Sequence, residues 1–329
     1  MRTDPDMARA PAALRRRRQP LPLRLFAGAV LLALLLPWLM RTLPPSTGTV
    51  GWALDLVVHW QPVHAALWLV AVALLSGRDR RWLLALPLAL LPLWSASAPL
   101  PSSQNPAAAP TLTIASANLR AGNPDPASLA AWLRTQPVDV VVLVELTPDY
   151  ADRLRDALAD VYPYHQLVPA DSPFGIGLLS RHPLSAIARH DSPDGIPSLA
   201  ATLDTARGPV RVVAVHPMPP LGPHWQAARN QLLRTLADTA GTQPTVVAGD
   251  LNSTPWSTAL SKIAPGLRRA CGLAPTWPSG YFGIPIDHVL AGRGWHRLDC
   301  ARGPDIGSDH RPIRATLVLE NESGRATSD

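Results

Sequence analysis

Thr245-Val-Val-Ala-Gly-Asp-Leu-Asn252 is the stretch on which the reading of the fold turns. Thr245 to Ala248 is a short, mostly β-branched apolar run of the kind that makes a buried strand. It stops at Gly249, and Asp250 and Asn252 follow at once. A buried strand ending on a carboxylate and an amide places polar groups at the edge of a sheet, where clefts form. Read alone, Asp250 and Asn252 also fit a helix N-cap ahead of Ser253 to Leu260.

Working outward, the same strand-then-polar pattern recurs and decides against the cap. Asn118 follows the strand-like run Leu112 to Ala117, Glu145 follows Val138 to Val144, and His216 follows Val210 to Val215. Asp287-His288 sits within Pro285 to Leu290, and Gly307-Ser308-Asp309-His310 precedes the strand Ile313 to Leu319. Further strands are expected at Gly175 to Ser180, Leu184 to Ala188 and Leu199 to Leu203, with a turn at Arg207-Gly208. Helices are expected at Ala127 to Arg134, after Asp125-Pro126, at Pro148 to Leu158 and at Trp225 to Ala240. Strands that both alternate with helices and follow one another predict an α/β class with mixed sheets covered by helices.

The polar residues at these strand ends are carboxylates, amides and His, with no Cys or Lys. Hard oxygen donors of this kind suit Mg²⁺ or Mn²⁺ rather than zinc. His and Asp beside such an ion suit hydrolysis of a phosphate ester, with cation and His offsetting phosphoryl charge and a carboxylate orienting water.

In this order the motifs resemble the endonuclease/exonuclease/phosphatase superfamily, over residues 111–319. The resemblance implies a deoxyribonuclease I-like, four-layer α/β sandwich of two packed mixed β-sheets flanked by helices. It implies that Glu145 is the main Mg²⁺ ligand, with Asn118 and Asp309 near the metal. It further implies that Asp250 orients the nucleophilic water, that Asn252, His216 and His310 contact the phosphoryl group, and that Asp287 orients His310. Arg120 departs from the pattern of some relatives, which carry an acidic residue there. Pro217-Met218-Pro219-Pro220 is an unusually stiff loop after His216. Blander roles exist for single residues: a surface position for Glu145, a loop position for His310. His288 reads as a packing or hydrogen-bonding residue, and His182, His190, His224 and His296 as surface or loop residues. Arg229 is either a substrate contact or a solvated position on its helix.

Of the 329 residues 47% are hydrophobic and 16% charged, which excludes long disorder. The net charge of +6 is uneven: residues 1–110 hold 11 Arg against 4 Asp, whereas 111–319 hold 18 basic and 17 acidic groups. The basic excess therefore belongs to the N-terminal third and does not mark a nucleic-acid surface. That third reads as membrane. Leu21 to Met40 is almost continuously apolar; weaker runs follow at Leu56 to Leu75 and Trp82 to Trp94. A cleaved signal peptide competes as a reading of the first run, but no small-x-small site follows it. His59 and His64 either line a polar site in the membrane or face the bundle interior. Seven Arg lie before or at the start of the first run, Arg41 alone follows it, and Arg78, Arg80 and Arg81 separate the second and third. The positive-inside rule then places the N-terminus in the cytoplasm and, with three spans, everything after residue 98 outside.

The expected organisation is a basic cytoplasmic segment at 1–20 and about three transmembrane helices within 21–98. A Pro/Ala/Ser linker at 99–110, the catalytic domain at 111–319 and a flexible tail at 320–329 follow. In an oxidising compartment Cys271 and Cys300 are free to pair, although their spacing does not show that they meet. The functional expectation is a membrane-anchored phosphoesterase of the bacterial inner membrane, with a periplasmic catalytic domain. Its partners are the lipid bilayer and a phosphate-ester substrate, nucleic acid or phospholipid, with no protein partner. The rival is an inactive membrane scaffold that keeps the fold, against which the intact Glu145, Asp250, Asn252, Asp309 and His310 count.

Overall fold

A computed structural model describes residues 20–42, 48–104, 108–240, 243–280 and 282–320. The arginines from Arg2 to Arg18 and the tail from 321 lie outside the described residues. Helix α1 (Leu21–Thr42) is the one described helix that by itself is long and apolar enough to cross a membrane. The second apolar run splits into α2 (Gly48–Val58) and α3 (Gln61–Ser76), bent by 66°. Pro62, in the first turn of α3, carries no N–H and so fits a helix start and not a helix interior. The third run is not the α-helical span that the sequence predicts. Arg80–Leu90 winds as a 3₁₀ helix and only the five residues of α4 (Leu91–Ser95) are α-helical. Pro87 and Pro92 interrupt the α-helical ladder there. Ala27, Val30 and Leu34 of α1 pack on Trp68, Ala71, Val72 and Leu75 of α3. Leu21, Leu25 and Leu32 of α1 and Leu69, Val70 and Leu74 of α3 are exposed.

The segment expected to be a free linker is strapped down in its first half. Leu100 is buried and its N–H donates to the Arg269 carbonyl at 2.7 Å. Ser103 N–H donates to the Arg297 carbonyl at 3.1 Å.

The remaining elements are β1 (Leu112–Asn118), α5 (Ala127–Thr135), β2 (Val140–Val144), α6 (Pro148–Leu158), β3 (Tyr164–Val168), β4 (Ile176–Ser180), β5 (Leu184–Asp191), β6 (Pro197–Thr205), β7 (Gly208–Val215), α7 (Pro223–Thr239), β8 (Thr245–Asp250), β9 (Arg268–Arg269), β10 (Asp287–Ala291), β11 (Trp295–Arg302) and β12 (Ile313–Leu319). They form two six-stranded sheets, ordered β11-β12-β1-β2-β4-β3 and β5-β6-β7-β8-β10-β9. Both are mixed: β1 with β2 and β7 with β8 run parallel and every other strand pair is antiparallel.

Strand alternation builds the layers. Leu112 and Ile114 of β1 and Val140, Val142 and Val144 of β2 face the second sheet, meeting Val212, Ala214, Val246 and Ala248. Ala115, Ala117, Val141 and Leu143 face the other way and are covered by Leu129 and Leu133 of α5 and Leu154 and Leu158 of α6. Leu233 and Leu236 of α7 cover Val213, Val215 and Val247. The result is helix, sheet, sheet, helix, the four layers expected from the motifs. Strands β3, β9 and β11 escape the sequence reading because none has a continuous apolar run; β11 is mostly half-exposed at a sheet edge. A disulfide joins Cys271 to Cys300, whose Cα atoms lie 5.3 Å apart.

Candidate active site

The residues expected to form the site stand where strands of both sheets end side by side. Asn118 closes β1, Glu145 follows β2, His216 follows β7 and Asp250 closes β8. Asp287 opens β10, which runs antiparallel to β8, so the register sets Asp287 directly against Asp250. Asp309 and His310 lie in the loop before β12. Backbone geometry sharpens the turns. Glu145 and Asn252 adopt positive φ, 58° and 46°, a sparsely populated region for side-chain-bearing residues that concentrates at functional sites. Gly249 has φ +149°, and a Cβ there would lie 1.8 Å from the Val215 carbonyl oxygen. Only Gly lets β8 pass β7 closely enough to bring Asp250 and His216 together.

The side chains form one network. Asn118 Nδ2 donates to Glu145 Oε1 at 2.9 Å and to Asp250 Oδ2 at 3.1 Å, and lies 3.4 Å from His310 Nε2. Its Oδ1 accepts from Arg120 N–H, so the amide turns its nitrogen, not its oxygen, to the carboxylates. Glu145 Oε2 accepts from Ala121 N–H at 3.0 Å. Asp250 Oδ1 accepts from Asn252 N–H at 2.8 Å. Its Oδ2 lies 3.6 Å from His216 Nε2 and 3.7 Å from His310 Nε2. His216 Nδ1–H donates to the Pro173 carbonyl at 3.0 Å, which leaves Nε2 for the site. His310 Nδ1–H donates to Asp287 Oδ2 at 2.9 Å. Asn252 donates from Nδ2 to the Pro217 carbonyl at 2.9 Å.

Burial, the largest influence on His310, favours the neutral ring. The charge and hydrogen bond of Asp287, with Asp250 and Asp309, outweigh it and push His310 up to about 9. The charged ring is thereby favoured at neutral pH. Burial, again the largest influence, holds the Asp250 carboxyl above its ordinary range; the charges of His310 and His216 oppose this and Asp287 adds to it. His288 has the structural role expected. It is buried, pushed down to about 4 chiefly by that burial, and donates from Nε2 to the Ser253 carbonyl.

All the predicted catalytic and metal residues except Asn118 and Asp287 line one cavity of about 670 Å³; those two stand behind it, in contact with its lining. Ligand atoms of Asp250, Asp287 and His310 lie within 4.8 Å of one another. Since His310 and Asp287 bond each other, however, the oxygen donors of Glu145 and Asp309 in the same cavity fit a hard cation better.

Sequence reasoning missed several contributors. Trp277 Nε1 donates to Asp309 Oδ2 at 3.2 Å. Arg229 is neither a substrate contact nor solvated: its guanidinium is fully buried, paired with Asp55 of α2 at 2.7 Å and bonded to the Asn252 carbonyl at 2.9 Å. Leu56, His59 and Trp60 of the α2–α3 elbow line the cavity itself. Asp55, a lone carboxylate inside an apolar helix, was the one signal available in sequence.

Two stacked mixed sheets with carboxylates and imidazoles at their adjoining strand ends define a phosphoester hydrolase of the deoxyribonuclease I-like class. The chain belongs to the Endonuclease/Exonuclease/phosphatase family, whose model matches residues 115–310. Among solved structures it is similar to an endonuclease/exonuclease/phosphatase from Beutenbergia cavernae DSM 12333, with 24% identity and a TM-score of 0.55, covering 65% of this chain and 72% of that one. It is also similar to a humanized TDP2 from D. rerio (19% identity, TM-score 0.53, 63% and 98% covered). Sphingomyelinase C from Streptomyces griseocarneus follows (21%, 0.50, 65% and 100%). No curated protein matches the chain in sequence.

Proposed function

We propose that this chain is a membrane-anchored, metal-dependent phosphoesterase that cleaves a phosphodiester or phosphomonoester by in-line attack of water. One observation carries the reading: Asp250 Oδ2 lies 3.6 and 3.7 Å from the Nε2 atoms of His216 and His310, and all three line one cavity. A buried carboxylate with a raised pKa accepts a proton from water near neutral pH. The imidazolium of His310, fixed by Asp287, receives charge on the phosphoryl oxygens, and His216 joins it by donating from Nε2 when its ring is protonated at both nitrogens. Asn252 positions Asp250 through its backbone N–H. Glu145 and Asp309 would hold Mg²⁺ or Mn²⁺, with Asn118 bracing Glu145 against Asp250. When bound, the cation offsets charge on the phosphoryl oxygens as a Lewis acid.

Anchoring is supported by the inverted polarity of the N-terminal helices, which bury Asp55, His59 and Gln61 and expose leucines. An exported catalytic domain is supported by the arginine distribution and by the disulfide, since such bonds persist in oxidising compartments. The short third segment has the reach for a span: at about 2.0 Å per 3₁₀ residue and 1.5 Å per α residue, residues 80–95 extend roughly 30 Å.

The test is turnover of a p-nitrophenyl phosphodiester and phosphomonoester by the full chain, before and after EDTA. Activity lost to the chelator and restored by Mg²⁺ or Mn²⁺ supports the reading. Full activity in metal-free buffer removes the metal from it, and turnover of neither ester at any metal concentration favours the inactive scaffold.

A further inference from the structure

The phosphate end of the cavity is polar, but its walls are not, and one wall comes from outside the catalytic domain. Leu56 and Trp60 of the α2–α3 elbow line the cavity together with Met218, Pro219 and Leu221 of the loop after His216. Phe174 and Ile284 complete the apolar lining. Three clasps hold the elbow in place. Asp55 pairs with Arg229 at 2.7 Å, with both side chains fully buried. Trp52 Nε1 donates to the Pro220 carbonyl at 2.6 Å, and Gln226 Nε2 to the Gly51 carbonyl at 3.5 Å. The prolines at 217, 219 and 220 fix φ, so the loop is a preformed wall and not a tether. Asn252, beside the reacting groups, holds the other end of this loop through the Pro217 carbonyl.

From this geometry we infer that the cavity takes an amphipathic phosphate ester, whose phosphate meets Asp250, His216 and His310 and whose alkyl chain lies between the elbow and the Pro217–Leu221 loop. The inference rests on the phosphoesterase reading for the headgroup. Three observations select an alkyl chain over a nucleotide or sugar. The lining beyond the phosphate is aliphatic and aromatic. The catalytic domain carries 18 basic against 17 acidic groups over 111–319, without the positive excess that a nucleic-acid backbone requires. The mouth also continues into exposed apolar surface: Trp60 is 41% exposed and Leu221 72%, and Phe282, in the loop between the lining residues Trp277 and Ile284, is 91% exposed. The elbow itself belongs to helices whose outer faces are apolar, so a chain leaving the cavity on that side meets no polar surface.

The experiment measures binding of ethyl phosphate and octyl phosphate to the full chain in lipid nanodiscs by calorimetry, with empty nanodiscs as reference. Each buried methylene is worth about a fourfold gain in affinity, so octyl phosphate is expected to bind at least a hundredfold tighter. Trp60→Asn and Leu221→Asn, both at exposed positions that do not endanger folding, should each cut that preference at least fivefold. Equal affinities for the two esters, or a preference untouched by both variants, overturns the inference. Turnover of the matching p-nitrophenyl ethyl and octyl diesters is scored separately. Absence of hydrolysis of either ester counts against the phosphoesterase reading, while the binding ratio alone decides the alkyl-chain site.

Discussion

At the scale of single residues the site depends on two carboxylates held in different environments, Asp250 and Asp287. With Asp250 as the proposed proton acceptor, Asp250→Ala is expected to lower kcat by about a hundredfold to ten-thousandfold with little change in Tm, because the side chain lines the cavity. His310→Ala should do the same; near-normal turnover in either variant rejects the assignment. The pH profile follows from the shifts. The acid limb should lie above the ordinary carboxylate range, because Asp250 must lose its proton against a raised pKa. The alkaline limb should fall near pH 9, where His310 becomes neutral. Asp287→Asn removes the charge that raises His310, so its alkaline limb should move to lower pH while the acid limb persists. An alkaline limb that stays in place shows that Asp287 does not govern His310. The same raised pKa adds stability that is fully present below about pH 6.5 and is lost as pH rises through about 9.

At the scale of elements, two contacts decide whether the site forms. The crossing of β7 and β8 at Gly249 leaves no room for a Cβ. Gly249→Ala should therefore destabilise the domain and misplace Asp250, lowering Tm and activity together; an unchanged melt would mean that the strands have freedom to part. The second contact is the docking of α2 on α7. Asp55→Ala strands the buried guanidinium of Arg229, which typically costs about 3–5 kcal/mol. Differential scanning of the full chain should show the loss. These elements were unequally legible in the sequence. β2 and β8 announced themselves as uninterrupted apolar runs because both faces are covered. β11 and β3 did not, because an edge strand mixes polar and apolar residues without a rule that local sequence reveals. The third apolar run is weaker than the first in sequence, and only the backbone shows that Arg80–Leu90, with Pro87 inside, winds as a 3₁₀ helix.

At the scale of the molecule, the N-terminal helices are part of the catalytic domain's architecture as well as its proposed anchor. The strap from Ser97 to Ser103, the Asp55–Arg229 pair and the Trp52–Pro220 bond fix them to the catalytic domain. The Cys271–Cys300 disulfide ties the stretch just after β9 in one sheet to β11 in the other. Its loss, in Cys300→Ser, should cost about 2–4 kcal/mol of stability and be mimicked by reductant. A melt indifferent to reductant in protein isolated from the membrane would indicate that the bond does not form there. A C-terminal alkaline phosphatase fusion should be active and a cytoplasmic fluorescent reporter dark; the reverse pattern returns the domain to the cytoplasm.

The sequence by itself determined the α/β class, the strand-end placement of Asn118, Glu145, His216, Asp250 and Asp287, and the apolar character of residues 21–40. These follow from short-range facts, namely which runs are apolar on both faces and which polar residue ends each run. Only the tertiary structure decided what those ends meet. The pairing of Cys271 with Cys300, the capture of Arg229 by Asp55 and the closing of the cavity by Leu56 and Trp60 join residues 29, 174 and more than 150 positions apart. Such contacts are set by how layers and helices pack, and no local pattern of hydrophobicity or charge encodes a partner at that distance.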